Sequence, residues 1–172
     1  MEGQQHLDVQ RLRLLQHRLH LRAVFAHDVG VVPPCLVQIV AATVLACRLA
    51  EKGVKVKMFD ASVTPASYIV SAAFQYSHMV FAATTYNMGI FVTMEQLLLD
   101  IAAHQLASRR YALIENGSWS PVSGKKMDAL LSPLKGWSAI EAPLTVKSAL
   151  RPDQEAQLER LANAVAADVA KD

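Results

Sequence analysis

The chain has 172 residues, 52% of them hydrophobic and 19% charged. That suits one domain with a sizeable core and excludes wholesale disorder. Seventeen Lys and Arg against fifteen Asp and Glu leave a net charge of +2, too little for a general nucleic-acid or membrane-surface binder. Two cysteines, Cys35 and Cys47, cannot alone build a disulfide framework or a four-ligand zinc site.

The charge is unevenly spread. Residues 1–22 carry Arg11, Arg13, Arg18 and Arg22 against Glu2 and Asp8, and the remaining 150 residues balance. Leu12, Leu15 and Leu19 fall at helical spacing, as in a basic amphipathic helix that lies on a membrane or a partner helix. A loosely ordered terminus is the commoner fate of such a segment. Two long uncharged stretches, 29–47 and 61–94, raise the mean hydropathy to +0.21. Pro33, Pro34 and Gln38 interrupt the first, and Pro65, Gly89 and many polar side chains interrupt the second. A spanning helix needs roughly 20 mostly apolar residues in one run, so no membrane span is expected. The start also lacks a convincing secretory signal, and a cytoplasmic setting is expected.

From residue 39 onward helix and strand alternate. Residues 39–52 are rich in Ala and Leu, with Gly53 where a helix end takes a left-handed residue. Residues 54–59 alternate apolar and charged, as in a strand near a sheet edge. A helix is predicted over 65–76, with Pro65 in its first turn and Thr64 as its cap. The apolar run 78–83 reads as a strand covered on both faces. Next comes a helix over 94–106 with an inward stripe of Leu97, Leu98, Ile101 and Ala102, then a buried strand over 110–115. A helix over 124–134 and a strand over 139–146 follow. Pro152 opens the last helix, where Leu158, Leu161, Val165 and Val169 share a face. The pattern predicts an α/β fold with a parallel sheet between two helix layers. Ligands of such sheets bind where the strands end at their carboxyl side.

Two loops at that edge stand out. Thr84-Thr85-Tyr86-Asn87-Met88-Gly89-Ile90-Phe91 gathers hydroxyls, an amide, a glycine and two aromatics. It offers hydrogen bonds and an apolar wall to a heterocycle. It also reads as an ordinary strand–helix turn, with Asn87 and Gly89 for backbone geometry and Thr93 capping the next helix. Glu115-Asn116-Gly117-Ser118-Trp119-Ser120-Pro121 puts a tryptophan among turn formers. Such a ring stacks on a flat ligand or covers a helix end.

Other chemistry fails on spacing. Gly117-Ser-Trp-Ser-Pro lacks the second glycine of a nucleophile elbow. Gly124-Lys125-Lys126 lacks the upstream glycine and the following Ser/Thr of a P-loop. His6, His17, His20, His27, His78 and His104 are scattered without metal-ligand spacing. A phosphoacceptor receiver needs an Asp where Thr84 and Thr85 stand, which leaves Asp60 misplaced. No GxGxxG dinucleotide fingerprint supports a small NAD(P)H–quinone reductase.

Together, Asp60-Ala-Ser-Val-Thr-Pro-Ala-Ser-Tyr-Ile-Val, the Thr84–Phe91 run and Glu115–Pro121 resemble the flavodoxin domain of the flavodiiron proteins (A-type flavoproteins, including flavorubredoxin). Val146-Lys147-Ser148-Ala149-Leu150 matches that family's final strand, and the resemblance covers about residues 41–169. It implies a flavodoxin-like three-layer sandwich that binds FMN and transfers electrons. Thr84, Thr85, Tyr86, Asn87 and Gly89 would hold one side of the flavin ring. Asn116, Gly117, Ser118 and Trp119 would hold the other, with Trp119 available for stacking. A rubredoxin-type or reductase electron donor and a separate diiron domain are the implied partners. This sequence supplies no His/Glu/Asp cluster for diiron, so it is not expected to reduce oxygen or nitric oxide alone.

The chain departs from that family at three places. Thr84 and Val92 stand where the family usually has Pro, and the diiron domain is missing. The third is the phosphate loop. The family ends its first strand in a Ser/Thr-rich loop that holds the FMN phosphate, but here the place reads Val31-Val-Pro-Pro-Cys-Leu-Val-Gln38. No Ser or Thr occurs before Thr43. Only residues 23–26 or 29–32 are able to serve as the central first strand. Residues 1–38 are therefore expected to be an atypical segment, out of frame or truncated relative to the family, with the flavodoxin-like domain over 39–172. The alternative is a flavin-free remnant or interaction module of the same shape.

Overall fold

The computed structural model describes residues 29–32, 36–147 and 150–171. The elements in chain order are β1 (Val29–Val32), α1 (Leu36–Glu51), β2 (Val56–Met58), α2 (Ala66–Ala73), β3 (His78–Tyr86), β4 (Gly89–Ile90), α3 (Val92–Ala103), β5 (Arg110–Asn116), α4 (Ser123–Leu131), β6 (Ser138–Ala139), β7 (Leu144–Val146) and α5 (Pro152–Val169). The leucines at 12, 15 and 19, the first four histidines, Cys35 and residues 148–149 lie outside the described residues.

Strand order is β2-β1-β3-β5-β6, with β7 also on β5 and β4 folded back on β3. All ladders are parallel except β3–β4. Of the two segments able to fill the central first position, Val29–Val32 does so: it pairs with Val56–Met58 on one side and His78–Phe81 on the other. The predicted strand over 139–146 is two short pieces flanking residues 140–143. Of the family-like final segment, Val146 ends β7, and Lys147 and Leu150 lie in no strand.

Alternation along β3 and β5 divides the core. Val80, Ala82, Ala112 and Ile114 face α1 and α5, where Leu45, Leu49, Leu158, Leu161 and Val165 are buried. Met79, Phe81, Ala83, Tyr111 and Leu113 face α2, α3 and α4, against Ile69, Met94, Leu97, Leu98, Ile101, Met127 and Leu131. A strand with both faces covered reads as an unbroken apolar run, which is why 78–83 was legible as such. The predicted α3 stripe holds for Leu97, Leu98 and Ile101, with Ala102 half-buried and Met94 joining.

Helix ends explain the boundaries. Gly53, at φ +82°, closes α1: its N–H reaches Ala50 O at 3.0 Å and the next N–H, from Val54, reaches Leu49 O at 3.0 Å. This is a Schellman closure, with Val54 packed where the motif wants an apolar residue. At α2 the cap position belongs to Pro65, not Thr64, and no side chain caps it. At α3 Phe91 takes the cap position and Thr93 lies inside the first turn. Fixed φ at Pro65 and the extended backbone at Phe91 start these helices without a hydroxyl.

Trp137 is buried against Tyr111, with ring centroids 6.0 Å apart, and its Nε1 donates to Leu106 O at 2.6 Å. Burial and a 2.6 Å hydrogen bond to Asp128 Oδ1 hold the Tyr111 phenol protonated well above its ordinary range. At the amino edge of the sheet, Arg110 Nε donates to Asp168 Oδ2 at 2.5 Å and its Nη1 reaches Ser138. His78, 1% exposed, places Nε2 at 3.4 Å from the same Asp168 oxygen and Nδ1 at 2.8 Å from Ser77 Oγ. Arg110 above all, with His78 and Lys171, holds the Asp168 carboxyl below the usual carboxylate range despite burial.

Two predictions come from this packing. Trp137→Ala, which removes a buried ring and its hydrogen bond, is expected to cost about 3–5 kcal/mol in urea unfolding at neutral pH. A depressed folded-state pKa stabilises above the unfolded value, ~3.9 for Asp, and that contribution is lost as pH falls through the folded value. Asp168→Asn should therefore lower the unfolding midpoint near neutrality and flatten its decline in acid. Parallel pH profiles for the two proteins would refute the assignment.

Candidate functional site

Register brings the two singled-out loops to one level. β3 and β5 pair over seven residues, from His78 beside Arg110 to Thr84 beside Asn116, so the chain leaves both strands at the same edge of the sheet.

The first loop is half strand. β3 continues through Thr84, Thr85 and Tyr86, turns over Asn87-Met88 and returns as β4, pairing Thr85 with Ile90 and Tyr86 with Gly89. Asn87 (φ 47°) and Met88 (φ 59°) are both left-handed, as a two-residue type I′ hairpin turn requires. Asn tolerates that region. Met carries its steric cost, about 1–2 kcal/mol. Gly89, predicted to serve the backbone, needs no positive φ. Thr84 O accepts from Phe91 N–H at 3.1 Å, which closes the hairpin base, and Tyr86 packs edge-on against Phe91 with centroids 5.9 Å apart. Tyr86 and Met88 stand half or more exposed at the tip.

The second loop is held at its base and bare at its tip. Asn116 and Gly117 are buried, and Gly117 N–H reaches Val146 O at 3.4 Å. A Cβ on Gly117 would stand 2.9 Å from the Pro121 Cα, so only glycine lets the loop double back. Ser118 is exposed, and Trp119 is 96% exposed. It covers no helix end.

Between the loops lies the start of α4, and its donors are satisfied from two strands. Thr85 Oγ1 accepts from Val122 N–H at 2.8 Å and Ser123 N–H at 3.1 Å. The Thr85 hydroxyl donates in turn to Ser123 Oγ at 3.3 Å, and Ser123 Oγ to Ala83 O at 2.9 Å. Glu115, 8% exposed, accepts from Gly124 N–H at 2.8 Å through Oε2 and from Thr145 Oγ1 at 2.7 Å through Oε1. A Cβ on Gly124 would lie 2.8 Å from Pro143 Cβ and 3.0 Å from that carboxylate. A carboxylate at a helix amino end also suits the macrodipole.

All nine predicted site residues thus lie at the carboxyl edge. Glu115 and Ser123 were not among them. Glu115 had one signal in the sequence, an acid ending an otherwise apolar strand; Ser123 had none. Among the described residues no group of three or more His, Cys, Asp or Glu is placed to hold a metal ion, and no helix is long and apolar enough to cross a membrane.

No protein-family model and no curated protein sequence matches the chain. Solved structures do. The rubredoxin oxygen:oxidoreductase of the anaerobe Desulfovibrio gigas superposes with a TM-score of 0.79 at 20% identity, over 84% of this chain and 36% of that one. The flavodiiron protein of Giardia intestinalis gives 0.74 at 14% identity, over 84% and 37%. A flavodoxin from the domain Archaea gives 0.73 at 12% identity, over 83% and 99%. The chain thus spans about a third of the flavodiiron structures and nearly all of the flavodoxin. These likenesses, with the observed strand order and helix layers, establish the flavodoxin-like fold expected from the sequence.

Proposed function

We propose that this chain is a flavin-binding electron-transfer module that takes FMN at the carboxyl edge of its sheet. The carrying observation is Trp119: a large ring, 96% exposed, at the same edge of the sheet as a second exposed aromatic, Tyr86. Leaving such a ring in water forfeits its burial, and a flat heterocycle stacked on it recovers that. Buried Asn116 and the hydroxyls of Thr84 and Ser118 sit at the bases and tip of the same two loops. The residues present therefore fit the ring end of a flavin.

Thr84, Tyr86, Asn87 and Gly89 would contact one side of the ring, and Asn116, Gly117, Ser118 and Trp119 the other; Thr85, expected with the first group, has its hydroxyl bonded to Val122 and Ser123 and would support that side without contact. Bound flavin would supply the ability to accept and pass on electrons; the loops would bind it, orient it and tune its potential through polar contacts. A rubredoxin-type or reductase donor, a separate diiron acceptor domain and a cytoplasmic setting belong to the same proposal. So does an atypical amino-terminal segment, expected over 1–38 with the module over 39–172; because β1 (Val29–Val32) is a central strand and α1 opens at Leu36, the module takes in those residues as well. The D. gigas and Giardia likenesses support this reading at the level of fold.

A second reading, a flavin-free interaction module, is favoured by one observation. Between β1 and α1 the sequence is Pro33-Pro34-Cys35, with two residues that lack an N–H and no hydroxyl, where phosphate binding ordinarily wants several donors. Each lost charge-assisted hydrogen bond costs roughly 1.5–3 kcal/mol.

Titration of the full chain with FMN and riboflavin, followed by flavin fluorescence, separates the two. Saturable binding of FMN is expected, and a folded protein that binds neither flavin establishes the second reading. Trp119→Ala should weaken binding about tenfold, roughly 1.4 kcal/mol, with unfolding unchanged. Equal affinity in the native protein and this variant would remove Trp119 from the site.

A further inference from the structure

Thr85 ties the hairpin to the far end of the Trp119 loop through its side chain. It lies in β3 immediately before Tyr86, and its backbone pairs with Ile90 of the returning strand. Its side-chain oxygen receives two N–H groups from the far end of the Trp119 loop, Val122 and Ser123, at 2.8 and 3.1 Å. The hydroxyl proton goes on to Ser123 Oγ, which bonds Ala83 O one turn of the pleat below. At the opposite end of that loop, Gly117 is fixed by Val146 O and by the close approach of Pro121. The loop is thus anchored to β7 at its start and to β3 at its end, with Trp119 bare between the anchors.

We propose that Thr85 is a positioning residue: its hydroxyl oxygen sets where the Trp119 loop stands relative to the Tyr86 hairpin, and it acts on a bound flavin through Trp119 and not by touching the ring. This inference rests on the flavin reading above. An oxygen that already accepts two N–H bonds and donates its proton within the chain has its hydrogen-bonding capacity committed. Loss of it would leave two donors at the start of α4 unsatisfied, and the segment that carries them would open to find water. Serine keeps the oxygen. Valine keeps the shape and removes it.

The test has one arm without flavin and one with it. In the full ligand-free chain, Thr85→Val should speed amide exchange at Val122 and Ser123 at least tenfold, while Thr85→Ser leaves it within twofold of the native rate. Unchanged exchange in Thr85→Val overturns the proposal whether or not flavin binds. In the second arm, riboflavin and FMN are titrated into the native chain, Thr85→Val, Trp119→Ala and the double variant. Thr85→Val should weaken both flavins about tenfold in the native background and less than twofold in the Trp119→Ala background. Equal weakening in both backgrounds shows that Thr85 acts independently of Trp119 and overturns the proposal. Native protein that binds neither flavin sinks the flavin reading instead, and the exchange arm still decides whether Thr85 holds the loop.

Discussion

The seven-residue parallel pairing of β3 with β5 is the constraint on which the rest of the molecule depends. Side chains along a strand alternate between faces, so a slip of one residue would send every core residue of one strand to the wrong layer. Here both faces are buried, and both carry apolar side chains chosen for different helix layers. The register is therefore fixed by two cores at once. Its carboxyl end sets Thr84 beside Asn116, and its amino end sets His78 beside Arg110 on the face where Asp168 meets both. One ladder thus determines the level of the candidate site and the ionic anchor of α5 at the opposite edge.

The start of α4 shows how polar groups are accommodated beside that ladder. A helix begins with N–H groups that have no partner within the helix. The usual remedy is a cap from the residue just before it, yet Val122 occupies that place and offers none. The partners come instead from the strands beneath, as a hydroxyl from β3 and a carboxylate from β5. Burying Glu115 is tolerable because both of its oxygens are hydrogen-bonded. An anion is thereby already supplied by the chain where a helix amino end would otherwise attract one from solution.

The sequence carried the layered architecture well, because it is written in repeats: unbroken apolar runs at 79–83 and 111–114, a helical stripe at Leu97, Leu98 and Ile101, and Gly53 at a helix end. It carried the arrival of the two candidate loops at one edge of the sheet for the same reason, since strand ends are legible once strands are. It did not carry the hairpin at 84–90. Nothing in Tyr-Asn-Met-Gly announces two consecutive left-handed residues when the second is a methionine, a choice that tertiary context alone sustains. Nor did it reveal that Thr85 and Glu115 serve a helix thirty-eight and nine residues further on. Local patterning holds no information about partners brought together by the sheet. The hydroxyls expected as caps, Thr64 and Thr93, were misplaced because Pro65 and Phe91 already adopt the entry conformation.

The division of the last strand into β6 and β7 bears on how the molecule behaves in company. A sheet margin is a template on which a neighbouring chain can crystallise its own backbone, and long flat margins invite fibres. Here one margin offers two residues, then a detour through Pro143, then three. The other margin, β2, is three residues long and centred on a lysine. Among the described residues, neither side gives a foreign strand a run long enough to zip along. For a sequence this rich in Val, Leu and Ala, that brevity is a safeguard against its own adhesiveness.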